Sequence, residues 1–103
     1  MPKKKPTIIK DKYFDNRGGY AQILSITCSR CEQFLCSYQK DGPGDLLRMY
    51  LDRISNGDHM LNAHWVICKC PKCNKLIGLY YLYEKEQRPA LKLFAGAIQQ
   101  TEV

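Results

Sequence analysis

The sequence predicts a mainly β fold made from two copies of one unit. Each copy is a cysteine knuckle, an outgoing strand, a turn and a returning strand. Residues 26–38, ITCSRCEQFLCSY, lie over residues 68–80, CKCPKCNKLIGLY. Cys28 then meets Cys70, Cys31 meets Cys73, Phe34 meets Leu76, Leu35 meets Ile77 and Tyr38 meets Tyr80. Two extra residues in the second copy bring GDLLRMYLDRI (44–54) over RPALKLFAGAI (88–98), with Leu47 on Leu91, Arg48 on Lys92, Met49 on Leu93, Tyr50 on Phe94 and Ile54 on Ile98. The runs flanking both knuckles are rich in β-forming residues. A repeat of this kind is weighed before local propensity, because both copies must share one structure.

A chain of 103 residues is expected to form one domain. The reading divides it into a basic, flexible N-terminal arm over 1–19 and a single β domain over 20–103. No run of 18 apolar residues suggests a membrane span, and the start MPKKKPTIIKDK lacks the apolar stretch of a signal peptide. A reducing, cytoplasmic location is therefore expected. The formal net charge is +6. Lys3, Lys4, Lys5, Lys10 and Lys12 against Asp11 place +4 of it in the first 12 residues. The positive charge belongs to the arm, which is read as a solvated tail, with phosphate contact through Lys3, Lys4 and Lys5 as the alternative.

Within the arm, Thr7 to Ile9 is an edge-strand candidate. Gly18-Gly19 breaks the chain. Residues 20–27, YAQILSIT, alternate apolar and polar and read as the strand entering the first knuckle. Residues 33–39 leave it, and 40–45 turn on Gly, Pro and Asp. Segment 46–54, LLRMYLDRI, is ambiguous. As a helix it would put Leu46, Leu47, Tyr50, Leu51 and Ile54 on one face. Its partner copy contains Pro89 and Gly96 and follows the β-rich LYYLY, so the repeat argues for a strand. Leu47, Met49 and Leu51 should then face inward, with Arg48, Tyr50 and Asp52 outward. Residues 55–63 connect the units, 64–69 enter the second knuckle, and 75–83 leave it. EKEQRP turns, 90–99 returns, and the last three residues are expected to fray.

Cys28-Ser-Arg-Cys31 and Cys70-Pro-Lys-Cys73 are two C-x-x-C pairs. Two intervening residues let a tight turn bring both sulfurs to one face. Two such pairs supply the tetrahedral four-sulfur shell that Zn²⁺ takes in structural sites. In a reducing compartment this pattern favours metal over disulfides. The 38 residues between the pairs exceed the usual spacing, and the duplication explains the gap, since each unit completes its hairpin first. With all four positions filled, the single zinc would be structural. Arg30, Lys69, Lys72 and Lys75 lie near the sulfurs and would offset their charge. Asn74 readily adopts the left-handed backbone that follows such a knuckle. Glu32 does so less readily, so the first knuckle is expected to be strained or turned differently.

Cys36 aligns with Gly78 and Cys68 with Ile26, so both are read as small buried hydrophobes, with ligand exchange as the sharper reading of Cys68. His59 and His64 are spare ligand candidates without counterparts in the first copy. The tyrosines (Tyr13, Tyr20, Tyr38, Tyr50, Tyr80, Tyr81 and Tyr83), with Trp65 and Phe94, are read chiefly as packing residues, and otherwise as a stacking platform or ligand cage.

From Trp65 onward, Cys70-Pro-Lys-Cys73-Asn-Lys-Leu76-Ile77-Gly78-Leu-Tyr80 followed by Lys92-Leu93-Phe94-Ala-Gly96-Ala-Ile98 resembles the second half of Yippee-like proteins. That layout is shared by the thalidomide-binding domain of cereblon and by methionine sulfoxide reductase B. The resemblance implies a β-tent: two antiparallel sheets pinned at their apex by one zinc on four cysteines. It does not bring reductase activity, because the chain has no cysteine after Cys73. Cereblon-type domains use several tryptophans where this chain has Trp65 alone.

The expectation is a zinc-ribbon or β-tent module that binds a protein or a small ligand and is not an enzyme. The residues leave two alternatives open, a nucleic-acid-binding ribbon using the basic arm and a rubredoxin-like iron redox protein on the same four cysteines.

Overall fold

The computed structural model describes residues 7–61 and 66–103. The strand expected over 20–27 is β1 (Ala21–Cys28), and its buried residues include Leu24, Ile26 and Cys28, as the alternation requires. β2 (Phe34–Asp41) returns antiparallel to it, with Leu24 opposite Tyr38 and Ser25 opposite Ser37. It runs two residues further than the sequence suggested, so the turn narrows to the glycine-bearing stretch after Asp41. Gly42 there has φ of +75°, and a Cβ would lie 2.7 Å from the Arg17 carbonyl oxygen.

Segment 46–54 is not an α-helix. It forms β3 (Arg48–Tyr50), a 3-10 turn over Leu51–Arg53, and β4 (Ile54–Ser55). The repeat argument holds for the strand type and fails for its continuity. β3 pairs with the second copy and β4 with the first, so the chain must cross between sheets, and the 3-10 turn makes the crossing. The expected facing is corrected with it. Met49 is fully buried, but Leu47 is 68% exposed and Tyr50 only 4%.

After a second 3-10 turn (Asp58–Leu61), the chain continues as β5 (Ile67–Lys69), β6 (Leu76–Tyr83), β7 (Arg88–Leu93) and β8 (Ile98–Glu102). The single returning strand expected over 90–99 is thus two strands, broken at the turn where Gly96 has φ of +71°. The C-terminus is held in place: Thr101 and Glu102 lie in β8, and the Val103 N–H donates to the Ile23 carbonyl at 3.0 Å.

Two antiparallel four-stranded sheets result, in the orders β4-β2-β1-β8 and β3-β7-β6-β5. Each contains three strands of one copy and one lent by the other: β8 pairs with β1, and β3 with β7. One apolar cluster draws on both sheets, with Ile26, Leu35, Met49, Ile77 and Leu91 fully buried. Gly57 and Gly78 permit close backbone approach. A Cβ on Gly57 would meet the Cβ of Cys36 at 2.5 Å, and one on Gly78 would run into the Lys92 carbonyl.

The arm expected over 1–19 divides. Residues 1–6, with Lys3, Lys4 and Lys5, lie outside the described residues. Residues 7–19 are tied to the domain rather than loose. Thr7 to Ile9 is not a strand, but the Gln39 side-chain amide imitates one, accepting from the Ile9 N–H at 2.6 Å and donating to its carbonyl at 2.9 Å. Lys12–Asn16 forms a short helix, α1, which the sequence reading missed. Asp11 caps it by accepting from the N–H groups of Tyr13 and Phe14.

Candidate metal centre

Each knuckle begins where an incoming strand ends, at Cys28, the last residue of β1, and at Cys70, directly after β5. The pairing register shifts one step before each, between Ile26 and Thr27 and between Cys68 and Lys69. These bulges occupy equivalent positions in the repeat, and a bulge bends its strand. Both knuckles then close by the same bonds. The Cys28 N–H donates to the Gln33 carbonyl, and the Glu32 N–H to the Cys28 carbonyl, each at 2.9 Å. The Cys70 N–H donates to the Lys75 carbonyl, and the Asn74 N–H to the Cys70 carbonyl, again at 2.9 Å. Glu32 and Asn74 both have positive φ. The first knuckle is therefore not turned differently: glutamate adopts the left-handed backbone there. The loop between β7 and β8 braces it, with the Ser29 hydroxyl donating to the Gly96 carbonyl at 2.6 Å and its N–H to the Ala97 carbonyl at 3.1 Å.

The result brings together all four predicted ligands, Cys28, Cys31, Cys70 and Cys73, with their sulfurs within 4.8 Å of one another. Cys28 and Cys73 are 3.6 Å apart, as are Cys31 and Cys70. Four sulfurs at about 2.3 Å from one ion would be spaced about 3.8 Å apart in a regular tetrahedron. The cross-knuckle distances fit that shell. Cys28 and Cys70 are buried, while Cys31 and Cys73 are half-buried.

The electrostatics are compatible with a bound cation. Burial opposes ionisation of Cys28, but the backbone N–H groups of Cys31 and Arg30 and the neighbouring thiols outweigh it and lower its pKa to about 7. At Cys31 the Gln33 N–H favours the thiolate, yet burial and the three other sulfurs win and push it up to about 11. One sulfur ionises readily and resists ionisation of the next. All four would become thiolates together only with a positive ion among them. Arg30, Lys69, Lys72 and Lys75 make no ion pair among the described residues. They remain available to offset the cluster's charge.

Cys36 and Cys68 lie in the apolar core outside the cluster, and burial raises both thiol pKa values. His59 is not in the cluster either. Among the described residues its Nε2 is buried without a hydrogen-bond partner, and burial lowers its pKa. His64 and Trp65 lie outside the described residues.

Sequence reasoning missed a second polar centre. Arg53, 4% exposed, donates to Asp41 at 3.0 Å and to both oxygens of Asp11 at 2.7 and 3.0 Å. Arg88, 2% exposed, donates to Asp52 and Glu86 and lies between the rings of Tyr13 and Tyr50, 3.9 and 3.7 Å from their centroids. Apart from Glu86, two residues before Arg88, the partners are distant in sequence and share no period, so no local pattern announces them. They also account for several tyrosines. Tyr38 and Tyr50 are buried, and Tyr13, Tyr50 and Tyr83 lie against arginines, so these rings serve packing more than an exposed platform.

No family model, curated protein or solved structure matches the chain. Among the described residues no helix is long and apolar enough to cross a membrane. What the centre can do chemically follows from its donors. Four sulfurs can hold a metal ion, and a tetrahedral ion so held keeps no position for water or substrate.

Proposed function

We propose that the chain is a structural-zinc module of the zinc-ribbon or β-tent type, acting in protein or small-ligand binding and not in catalysis. The observation that carries this reading is the closed shell of Cys28, Cys31, Cys70 and Cys73, supplied in pairs by two units that each lend a strand to the other's sheet. Zinc is favoured because it is tetrahedral, is satisfied by four thiolates and brings no redox chemistry of its own. A single ion at the junction of two sheets fixes their relation, which suits a scaffold. Four cysteines committed to a metal and two thiols buried in the core suit a reducing compartment such as the cytoplasm.

Elemental analysis of the purified protein tests it. The expected result is one equivalent of zinc, lost in Cys28→Ser. A red protein containing iron would instead select the rubredoxin-like alternative. Absence of any metal would refute the module reading.

A further inference from the structure

A cavity of about 210 Å³ between the end of β2 and the start of β3 is lined by Arg17, Tyr38, Lys40, Asp45, Arg48 and Tyr50, with Asp41 at its wall. Its hydrogen-bond inventory is lopsided. The Tyr38 hydroxyl accepts from the Tyr50 N–H at 2.9 Å, and the Tyr50 hydroxyl accepts from Arg17 Nη2 at 3.1 Å. Neither hydroxyl donates to an acceptor in any hydrogen bond among the described residues, so each keeps a proton to give. Among the described residues Arg48 Nε is buried without a hydrogen-bond partner and Arg48 is in no ion pair; its guanidinium lies 4.2 Å from the Tyr83 ring centroid and beside the Tyr50 and Tyr81 hydroxyls, so Nε is the donor left unsatisfied. Among the described residues the Lys40 ammonium donates only to the Gly42 carbonyl, at 2.8 Å. On the acceptor side, Asp41 is already taken by Arg53 and Gln39, and Asp45 is exposed to water.

We propose that this cavity binds an oxyanion, the phosphate or carboxylate group of a small molecule. Buried donors in folded proteins are normally satisfied, and an oxyanion offers acceptors only. The match gains strength because the donors include cations, whose bonds to anions are the strong ones, and an arginine fork suits planar or tetrahedral oxygens. The volume lies below the roughly 300–1,000 Å³ of pockets that hold whole drug-sized ligands. The site therefore takes the anionic group and a few attached atoms, not a complete nucleotide. This deepens the small-ligand reading by naming a ligand class. It is independent of the metal, so the two fail separately: zinc content reports on the module and anion binding on the cavity.

The test uses the full, zinc-loaded chain. Inorganic phosphate and acetate are titrated separately in chloride buffer at fixed ionic strength, by calorimetry and by amide chemical shifts. Saturable binding is expected, with shifts concentrated on Lys40 to Tyr50. Phosphate without acetate assigns a phosphate group, and the reverse assigns a carboxylate. Arg48→Gln should weaken binding at least tenfold. Lys92→Gln removes the same charge from the residue opposite Arg48 on β7, outside the cavity, and should change it less than twofold. If Arg48→Gln fails to fold, Lys40→Gln at the half-buried rim gives the same comparison. No saturable binding of either anion, or equal weakening in the cavity and control variants, overturns the proposal.

Discussion

Glu32 and Asn74 hold the same place in the two knuckles with nearly the same left-handed backbone, φ being 65° and 63°. Each N–H closes its knuckle on the first cysteine's carbonyl at 2.9 Å. Asparagine visits this region routinely, whereas an ordinary side chain loses roughly 1–2 kcal/mol there. Glycine would relieve that strain while giving back about 0.5–1 kcal/mol of backbone entropy. Glu32→Gly should therefore stabilise the domain by roughly 0.5–1 kcal/mol, raising the melting temperature by a few degrees. Asn74→Gly should change little. Thermal melts of the metal-loaded variants check both, and a loss on Glu32→Gly would mean that its side chain contributes more than the strain removes.

How much of this was legible follows from where the signals lie. The cysteine pairs and the alternation of YAQILSIT are local, so the knuckles and β1 could be read directly, and the repeat supplied the β character of 46–54. The break of that segment at Leu51–Arg53 could not be read, because it comes from β3 joining the other sheet. Strand exchange is a property of the assembled pair of units, not of either sequence. The Asp11–Arg53 and Asp52–Arg88 contacts span 42 and 36 residues, with nothing local to mark them. The same ion pair hid the docking of residues 7–19, whose composition alone suggests a free tail.

Arg88 should not tolerate lysine. Its guanidinium fills the space between the Tyr13 and Tyr50 rings and makes two bonds to Asp52, at 2.7 and 3.1 Å, and one to Glu86 at 2.9 Å. Lysine keeps the charge but has no planar face to stack and no fork to bond two carboxylates. Each cation–π contact contributes about 0.5–1 kcal/mol at exposed sites and more when desolvated. Asp52 is partly exposed, so its share is modest. A loss of about 2 kcal/mol is expected for Arg88→Lys, measured by chemical denaturation. A change under about 0.5 kcal/mol, the range of an ordinary surface substitution, would show that the stack contributes little.

Asp11 sets a pH dependence whose sign can be worked out. Its hydrogen bond from Arg53 is the chief reason its pKa falls from the usual 3.8 to about 2, against a smaller opposing effect of burial. A carboxylate depressed by folding stabilises the folded state fully above its ordinary pKa. That contribution fades as pH falls from about 4 through about 2. The side chain is 37% exposed, so solvent screens the pair, which is worth at most about 1 kcal/mol. Asp11→Asn should lower stability by up to that amount, by the same margin at every pH from 5 to 8. Melts across that range check it. A difference that changes with pH there would assign the effect to another group.

The metal should dominate everything else that holds the fold. The two sheets exchange one strand in each direction, and the knuckles that meet between them are separated by 38 residues of chain. Bringing four sulfurs to within 4.8 Å disfavours their ionisation together, and a bound cation is what would let all four serve as thiolates. Structural zinc contributes on the order of 10–16 kcal/mol apparent in small fingers, against a whole-domain stability of about 5–15 kcal/mol. Strong chelation, or Cys73→Ser, should therefore unfold the domain cooperatively. Cys36 and Cys68 are buried more deeply than Cys73 but stand outside the cluster, so Cys36→Ala and Cys68→Ala should lose only about 1 kcal/mol each, a typical single-site effect. Circular dichroism and thermal melts with and without chelator separate the two classes. If the chelated protein kept its β signal and melting temperature, the apolar core between the sheets would be sufficient alone, and the cysteine centre would not organise the fold.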